Sequence, residues 1–385
     1  MRLLHSSDWH VGRTFHGSST TGALREVLGE LVEVARRERV DAVLVAGDVF
    51  DSAVPAAEHF DLLAEVLVAL RVAGPAVILT SGNHDSPARL GFQARLLRDG
   101  VHVITRPEQL AEPVLLRDEH GPVAVYGIPY LEPALHRHRF PELVLRTHDQ
   151  VLAHAMDRIR ADLEARRRDE PALRSVVLSH CFAVGVDPAG PERDITAGGI
   201  EYVALERFAG VDYTALGHIH SRAQLAPSIR YSGAPLHYSF SEAGKPRGAW
   251  IVDLDAEGFA GAEWASLPVP RPLVELTGTL DELLDDPRHA EHEQHWVSAV
   301  LTDRSRPTDA MAKLQRRFPH CATLEHRPEQ VHDVGPGGYA ERMRSKTDPE
   351  IVADFIAHVR GGDAATSDET ALLHEELAVI ESTAG

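Results

Sequence analysis

Short polar motifs stand at the ends of successive apolar runs, and their order constrains the fold more than any other feature of the chain. The motifs are Asp8-Trp9-His10, Gly47-Asp48-Val49-Phe50-Asp51, Gly82-Asn83-His84-Asp85, Ser179-His180 and Gly217-His218-Ile219-His220. The runs before them, at 3–6, 42–46, 76–81, 175–179 and 213–216, are short and aliphatic or β-branched. They read as buried strands, as does 123–128. Segments 24–39, 57–72 and 151–168 between them have helical spacing of apolar residues. Strands alternating with helices predict a layered α/β domain, in which ligand sites gather at the carboxyl ends of the strands, where these motifs stand.

The motif residues are oxygen and imidazole donors of the kind that hold two divalent ions about 3.5–4 Å apart for phosphoester hydrolysis. Asp8 and His10, separated by one residue on a strand-to-loop turn, point the same way. Asp48 follows a glycine that lets backbone pass closely, which makes it the candidate bridging carboxylate. The spacing assigns Asp8, His10, Asp48 and His220 to one ion, and Asp48, Asn83, His180 and His218 to the other. His84 is then left without an ion, placed to donate a proton to the departing oxygen or to stabilise the phosphorane-like transition state, with Asp85 expected to orient its ring. Asp51 either caps the turn after it or supports a ligand. The Asp-x-His and Gly-Asp-x-x-Asp patterns are weak alone; Gly-Asn-His-Asp is much rarer, and the ordered set carries the reading.

A formal net charge of −19 argues against nucleic-acid binding by overall electrostatics. A phosphodiester substrate would need the two cations, or a basic partner surface, to meet its charge. Arg13, Phe15, His16, Arg89 and Arg95 flank the motifs as candidate DNA contacts, with Phe15 as a wedge or stacking face. Arg166-Arg167-Arg168 and the run His289, His292, His295 read as solvated helix features before they read as a DNA cluster or a metal site. The two cysteines, Cys181 and Cys321, form no CxxC pair and read as reduced thiols. No apolar stretch approaches the roughly 20 residues of a membrane span, and residues 1–6 run straight into the first motif, so a cytoplasmic protein is expected.

The proline-rich stretch 266–272 predicts a boundary. The expected division is a catalytic core over 1–267, a small α+β unit over 268–340 and terminal helices over 341–385. In those helices Ile351, Val352, Phe355, Ile356 and Val359 form one apolar stripe, and Leu372, Leu373, Leu377 and Ile380 another. Docking into a partner groove and packing back on this chain both remain open for them.

The motifs, with Glu192-Arg193-Asp194-Ile195 and Tyr231-Ser232-Gly233-Ala234-Pro235 leading to Ser239-Phe240, resemble those of the calcineurin-like metallophosphoesterases. Within them the likeness is to the bacterial SbcD family of DNA-repair nucleases, over roughly the first 255 residues. Aspartate at Asp51, where archaeal and eukaryotic relatives place histidine, sides with the bacterial branch. Ser52 and Asp85 depart from the protein phosphatases. The resemblance implies a four-layer metallophosphoesterase β-sandwich flanked by helices, a capping domain and manganese as the favoured metal, with magnesium or iron also accepted. It further implies a coiled-coil ATPase partner of the SbcC type, a homodimer within a heterotetramer, and ATP-dependent double-strand exonuclease and single-strand endonuclease activity in repair and recombination. A free-standing phosphodiesterase or phosphatase for small phosphoesters is the alternative, and a DNA-tethering scaffold with structural metals a third reading.

Overall fold

The apolar runs become two facing six-stranded sheets in the computed structural model, which describes residues 1–97, 100–140, 143, 145–184, 202–328, 346–359 and 364–384. In chain order the sandwich strands are β1 (Arg2–Ser6), β2 (Ala42–Ala46), β3 (Ala76–Thr80), β4 (Val101–Ile104), β5 (Val114–Asp118) and β6 (Gly121–Ile128). They continue with β7 (Arg174–His180), β8 (Tyr213–Gly217), β9 (Ala223–Ala226), β10 (Ile229–Tyr231), β11 (Gly248–Asp255) and β12 (Gly258–Ser266). One sheet has the order β12-β11-β1-β2-β3-β4, the other β9-β10-β8-β7-β6-β5. The central strands β1 to β4 run parallel, as do β6, β7, β8 and β10, while the edge pairs are antiparallel.

Between the sheets lies a core that includes Leu3, Leu44, Ile78, Val125, Val176, Leu178, Tyr213 and Val252. Helices α1 (Thr21–Arg37) and α2 (Ala57–Ala73) cover the outer face of the first sheet through Leu24, Leu28, Leu31, Leu62 and Leu70. Helix α3 (His148–Asp169), begun by a Thr147/Gln150 capping box, covers the second through Leu152, Met156 and Ile159. The result is the expected four-layer α/β sandwich. Strands buried on both faces are continuously apolar, which made them legible.

Two buried polar links tie the sheets together. His5 of β1 sits between the Tyr213 hydroxyl (2.9 Å) and the Leu216 carbonyl (3.1 Å), and burial lowers its pKa to about 3. At the opposite end, buried Arg174 donates to Asp118 (3.0 Å), Gly121 O (2.8 Å) and Asp255 O (3.1 Å), and the Met1 ammonium reaches Asp118 at 2.6 Å. Arg174, with burial opposing and the ammonium helping, holds the Asp118 carboxyl well below the usual range. Replacing Arg174 with methionine leaves the Met1 ammonium as the remaining charged partner of that carboxylate and is expected to cost about 1.5–3 kcal/mol. Because the folded pKa is depressed, Asp118 contributes fully above pH ~4 and its contribution fades as pH falls below that. Urea unfolding of both chains at pH 7 and pH 2.5 checks this: the gap between them should shrink at the lower pH.

Arg166, Arg167 and Arg168 are engaged by Asp162, Asp212 and Glu164, the solvated-helix reading. Both cysteines are buried and unpaired. Among the described residues no helix is long and apolar enough to cross a membrane.

Contacts divide the chain into Met1–Pro270 and Arg271–Gly385. In the second unit Leu273–Gly278, Trp296–Leu301 and Cys321–His326 form a parallel three-stranded sheet, packed on Leu280–Asp285 and Ala310–Arg317 through Leu283, Leu314 and Phe318. Helices Asp348–Val359 and Ser367–Ala384 pack on each other and leave Phe355, Val359 and Leu372 exposed. The side chain of Ile380 and the Glu192–Ile195 motif lie outside the described residues.

Candidate metal centre

The loops after β1, β2, β3, β7 and β8 meet at one end of the sandwich. Asp8 N, His10 N and Val11 N donate to Gly47 O, Asp48 O and Val49 O at 2.9–3.0 Å, zipping the first two loops side by side. The backbone is strained where the donors sit: Asp8, His10 and Asp48 have φ of 53°, 45° and 49°, and His218 has 105°. Glycine is required at position 82 because a Cβ there would run into the Asp48 carboxylate and amide. At Gly47 (φ 81°) a Cβ would overlap the His180 ring.

The predicted donors converge in two groups. In one, Asp8 and His10 meet His220, with His10 Nε2 3.1 Å from His220 Nε2. In the other, Asn83 Oδ1 lies 3.0 Å from His180 Nε2 and 3.2 Å from His218 Nδ1. Asp48 Oδ2 reaches both, 3.5 Å from His10 Nε2 and 3.4 Å from His180 Nε2. Its other oxygen accepts from His84 N at 2.9 Å.

These residues fit a pair of divalent cations. His10 Nδ1 lies 3.2 Å from Asp51 Oδ1, off the hydrogen-bond line, and His220 Nδ1 lies 3.1 Å from Glu242 Oε1. With each Nδ1 facing a carboxylate, two Nε2 lone pairs point at one another, an arrangement that a shared cation relieves. His180 gives Nδ1 to Ala46 O (2.9 Å), which likewise leaves its Nε2 toward Asp48. Without a cation, a proton on His180 offsets the Asp48 charge. Burial opposes it, yet Asp48 and then Asp8 raise His180 to about 9. Burial and the neighbouring His180 lower His218 to about 4. Asp48, which burial alone would push up, is held below the usual carboxylate range by His180 and His10. A cation between Asp48 and His180 would displace that proton.

Two expectations are corrected. Asp85 does not orient His84; its buried carboxylate accepts from the amides of Gly82 (2.8 Å), Phe50 (2.8 Å) and Val49 (3.0 Å), fixing the third loop against the second. Burial raises its pKa against those amides. The ring of His84 is instead held through Nδ1 by the Asp51 carbonyl at 2.9 Å, edge-on to His10. Phe15 is no stacking face, being 3% exposed and packed between His16 and Phe240.

Of the other flanking residues, Arg13 donates to Asp51 at 2.9 Å and lies over Tyr238, and Arg89 donates to Ala53 O at 2.9 Å. His16 and Arg95 are exposed. Asp51 thus faces His10 and Arg13, the ligand-supporting alternative. His292 and His295 approach through Nδ1 at 3.2 Å, while His289 stands off with its ring 6.4 Å from that of His292. Glu242 and Arg247, which stand in none of the sequence motifs, lie immediately behind His220. Their only signal was a carboxylate shortly after the Ser239-Phe240 motif.

The family model for calcineurin-like phosphoesterases matches residues 1–222, and that for the Type 5 capsule protein repressor C-terminal domain (SbcD_C) matches 269–360. The D subunit of nuclease SbcCD from Staphylococcus epidermidis is 24% identical over 362 residues, covering 93% of each chain. Among solved structures, TT1561 of Thermus thermophilus (15% identity, TM-score 0.38, 69% of this chain and 98% of that one) is similar. So is a dimetal phosphatase from Danio rerio (13% identity, TM-score 0.38, 69% and 96%).

Proposed function

The chain belongs to the calcineurin-like phosphoesterase family, and from that premise we propose that it is the metal-dependent nuclease subunit of an SbcC–SbcD type complex. The observation that carries the reading is the position of Asp48 Oδ2 between two imidazole groups, in a chain that resembles the nuclease SbcD over nearly its whole length. Asp8, His10, Asp48 and His220 would hold one cation, and Asp48, Asn83, His180 and His218 the other, with manganese preferred. When bound, such ions supply a water of lowered pKa and neutralise charge on the phosphoryl oxygens. The chain's own contribution is to hold the donors rigidly on strand ends, to present His84 beside them as a proton donor, and to fix the loops through Asp85. A cleft of about 660 Å³ beside His218, lined by Tyr130, Arg137, Arg146 and His148, offers room for a substrate strand.

In this reading residues 1–267 act as nuclease core, 268–340 as cap and 341–385 as the dock for a coiled-coil ATPase, with ATP in that partner gating duplex cleavage. The exposed side chains of Phe355, Val359 and Leu372 suit such docking. Exposed Val68 and Val72 on α2 suit a homodimer. Arg13, His16 and Arg89 are the proposed DNA contacts nearest the centre, and a cytoplasmic setting follows from the substrate. The test is cleavage of a linear duplex and a circular single strand with Mn²⁺ or Mg²⁺, with and without the partner and ATP. Manganese-dependent cutting of both, with duplex ends requiring partner and ATP, is expected. Fast hydrolysis of small phosphodiesters with no DNA cleavage under any condition would replace the reading with that of a free-standing phosphodiesterase.

A further inference from the structure

The two halves of the metal centre are backed differently. Behind His180 stands a neutral carbonyl, Ala46 O. Behind His220 stands a carboxylate that is itself clamped: Glu242 Oε1 faces His220 Nδ1 at 3.1 Å, while Oε2 accepts from Arg247 Nη2 at 2.8 Å and from Tyr238 N at 3.1 Å. Glu242 and Arg247 are buried. The same guanidinium closes the loop on His220 from its main chain, since Arg247 Nη1 donates to His220 O, and also to Ala234 O at 3.3 Å. His220 is therefore held at ring and backbone by one ion pair.

We infer that Glu242, fixed by Arg247, is a positioning residue that locks His220 with its proton on Nδ1 and makes the Asp8/His10/His220 half the tighter of the two cation sites. A carboxylate behind an imidazole both selects the tautomer and increases the donor strength of the far nitrogen, an effect on metal affinity of about 10- to 100-fold. The inference rests on the two-cation reading of the site. Glutamine keeps the volume but has one acceptor oxygen for His220 Nδ1 on one side and Arg247 Nη2 and Tyr238 N on the other, so Glu242→Gln removes the charge and one side of the clamp without opening a cavity.

Calorimetric titration of the metal-free full-length chain with MnCl₂ provides one readout. The unchanged protein should bind two ions of unequal affinity, and Glu242→Gln should weaken the tighter one by about 10- to 100-fold while leaving the other in place. Nitrogen-15 spectra of the metal-free protein provide a second, independent of catalysis. The His220 signal, assigned by its loss in His220→Gln, should report Nδ1–H, and this preference should relax in Glu242→Ala. Equal affinities in the unchanged and Glu242→Gln chains, or an Nε2–H His220 in the unchanged chain, would overturn the inference while two-ion binding stands. Failure of the unchanged chain to bind manganese would overturn the two-cation reading and this inference with it.

Discussion

Asp48→Asn is expected to lower phosphodiester cleavage by at least about 10⁴-fold, the loss of some 5 kcal/mol of transition-state stabilisation. The size follows from position. One oxygen, Oδ2, stands within 3.5 Å of the ring nitrogens of both His10 and His180, so losing its charge weakens both cation sites at once. Asparagine preserves shape and still accepts from His84 N through an oxygen, so the loops should stay in place. Manganese bound per chain, measured by elemental analysis after gel filtration, should fall from two to fewer than one. Retention of both ions with activity lost would move Asp48 from ligand to a different role.

His84→Gln carries the second large effect, with a different signature. Its Nδ1–H donates to the Asp51 carbonyl at 2.9 Å, so the imidazolium form is the one that carries a second proton, on Nε2, to deliver to a departing oxygen. Loss of a general acid costs about 10²–10⁴-fold in kcat. The cost should be confined to substrates whose leaving group needs the proton. DNA cleavage should therefore collapse, while hydrolysis of bis-p-nitrophenyl phosphate, whose leaving group departs unprotonated, should change by less than about 10-fold. Equal losses on both substrates would remove the acid role. Loss of a bound ion would make His84 a ligand, a result its grouping with His10 and Asp48 makes worth measuring.

The layered fold and the converging donors were legible because each rests on residue type at fixed spacing. Central strands such as Ala42–Ala46 are buried on both faces and so read as unbroken apolar runs. Edge strands were not legible. Gly258–Ser266 holds two glycines and is mostly half-exposed, and Val114–Asp118 alternates too weakly over five residues. The donors could be named in advance because metal binding accepts few side chains, whereas what supports them is decided by distant chain. Nothing near Asp85 in the sequence tells that its carboxylate collects amides at Val49 and Phe50 instead of the neighbouring imidazole. Phe15 looked available beside a motif, and the packing of Phe240 from 225 positions later helps to bury it. Glu242 and Arg247 likewise matter through tertiary contact with His220, which no local pattern announces.

Anomalous diffraction at the manganese edge, from crystals soaked in MnCl₂, would locate the ions of a two-cation centre bridged by Asp48. Two peaks about 3.5–4 Å apart are expected to flank the Asp48 carboxylate, one beside Asp8, His10 and His220, the other beside Asn83, His180 and His218. A single peak away from Asp48, or two peaks that leave Asp48 unligated, would contradict such a centre.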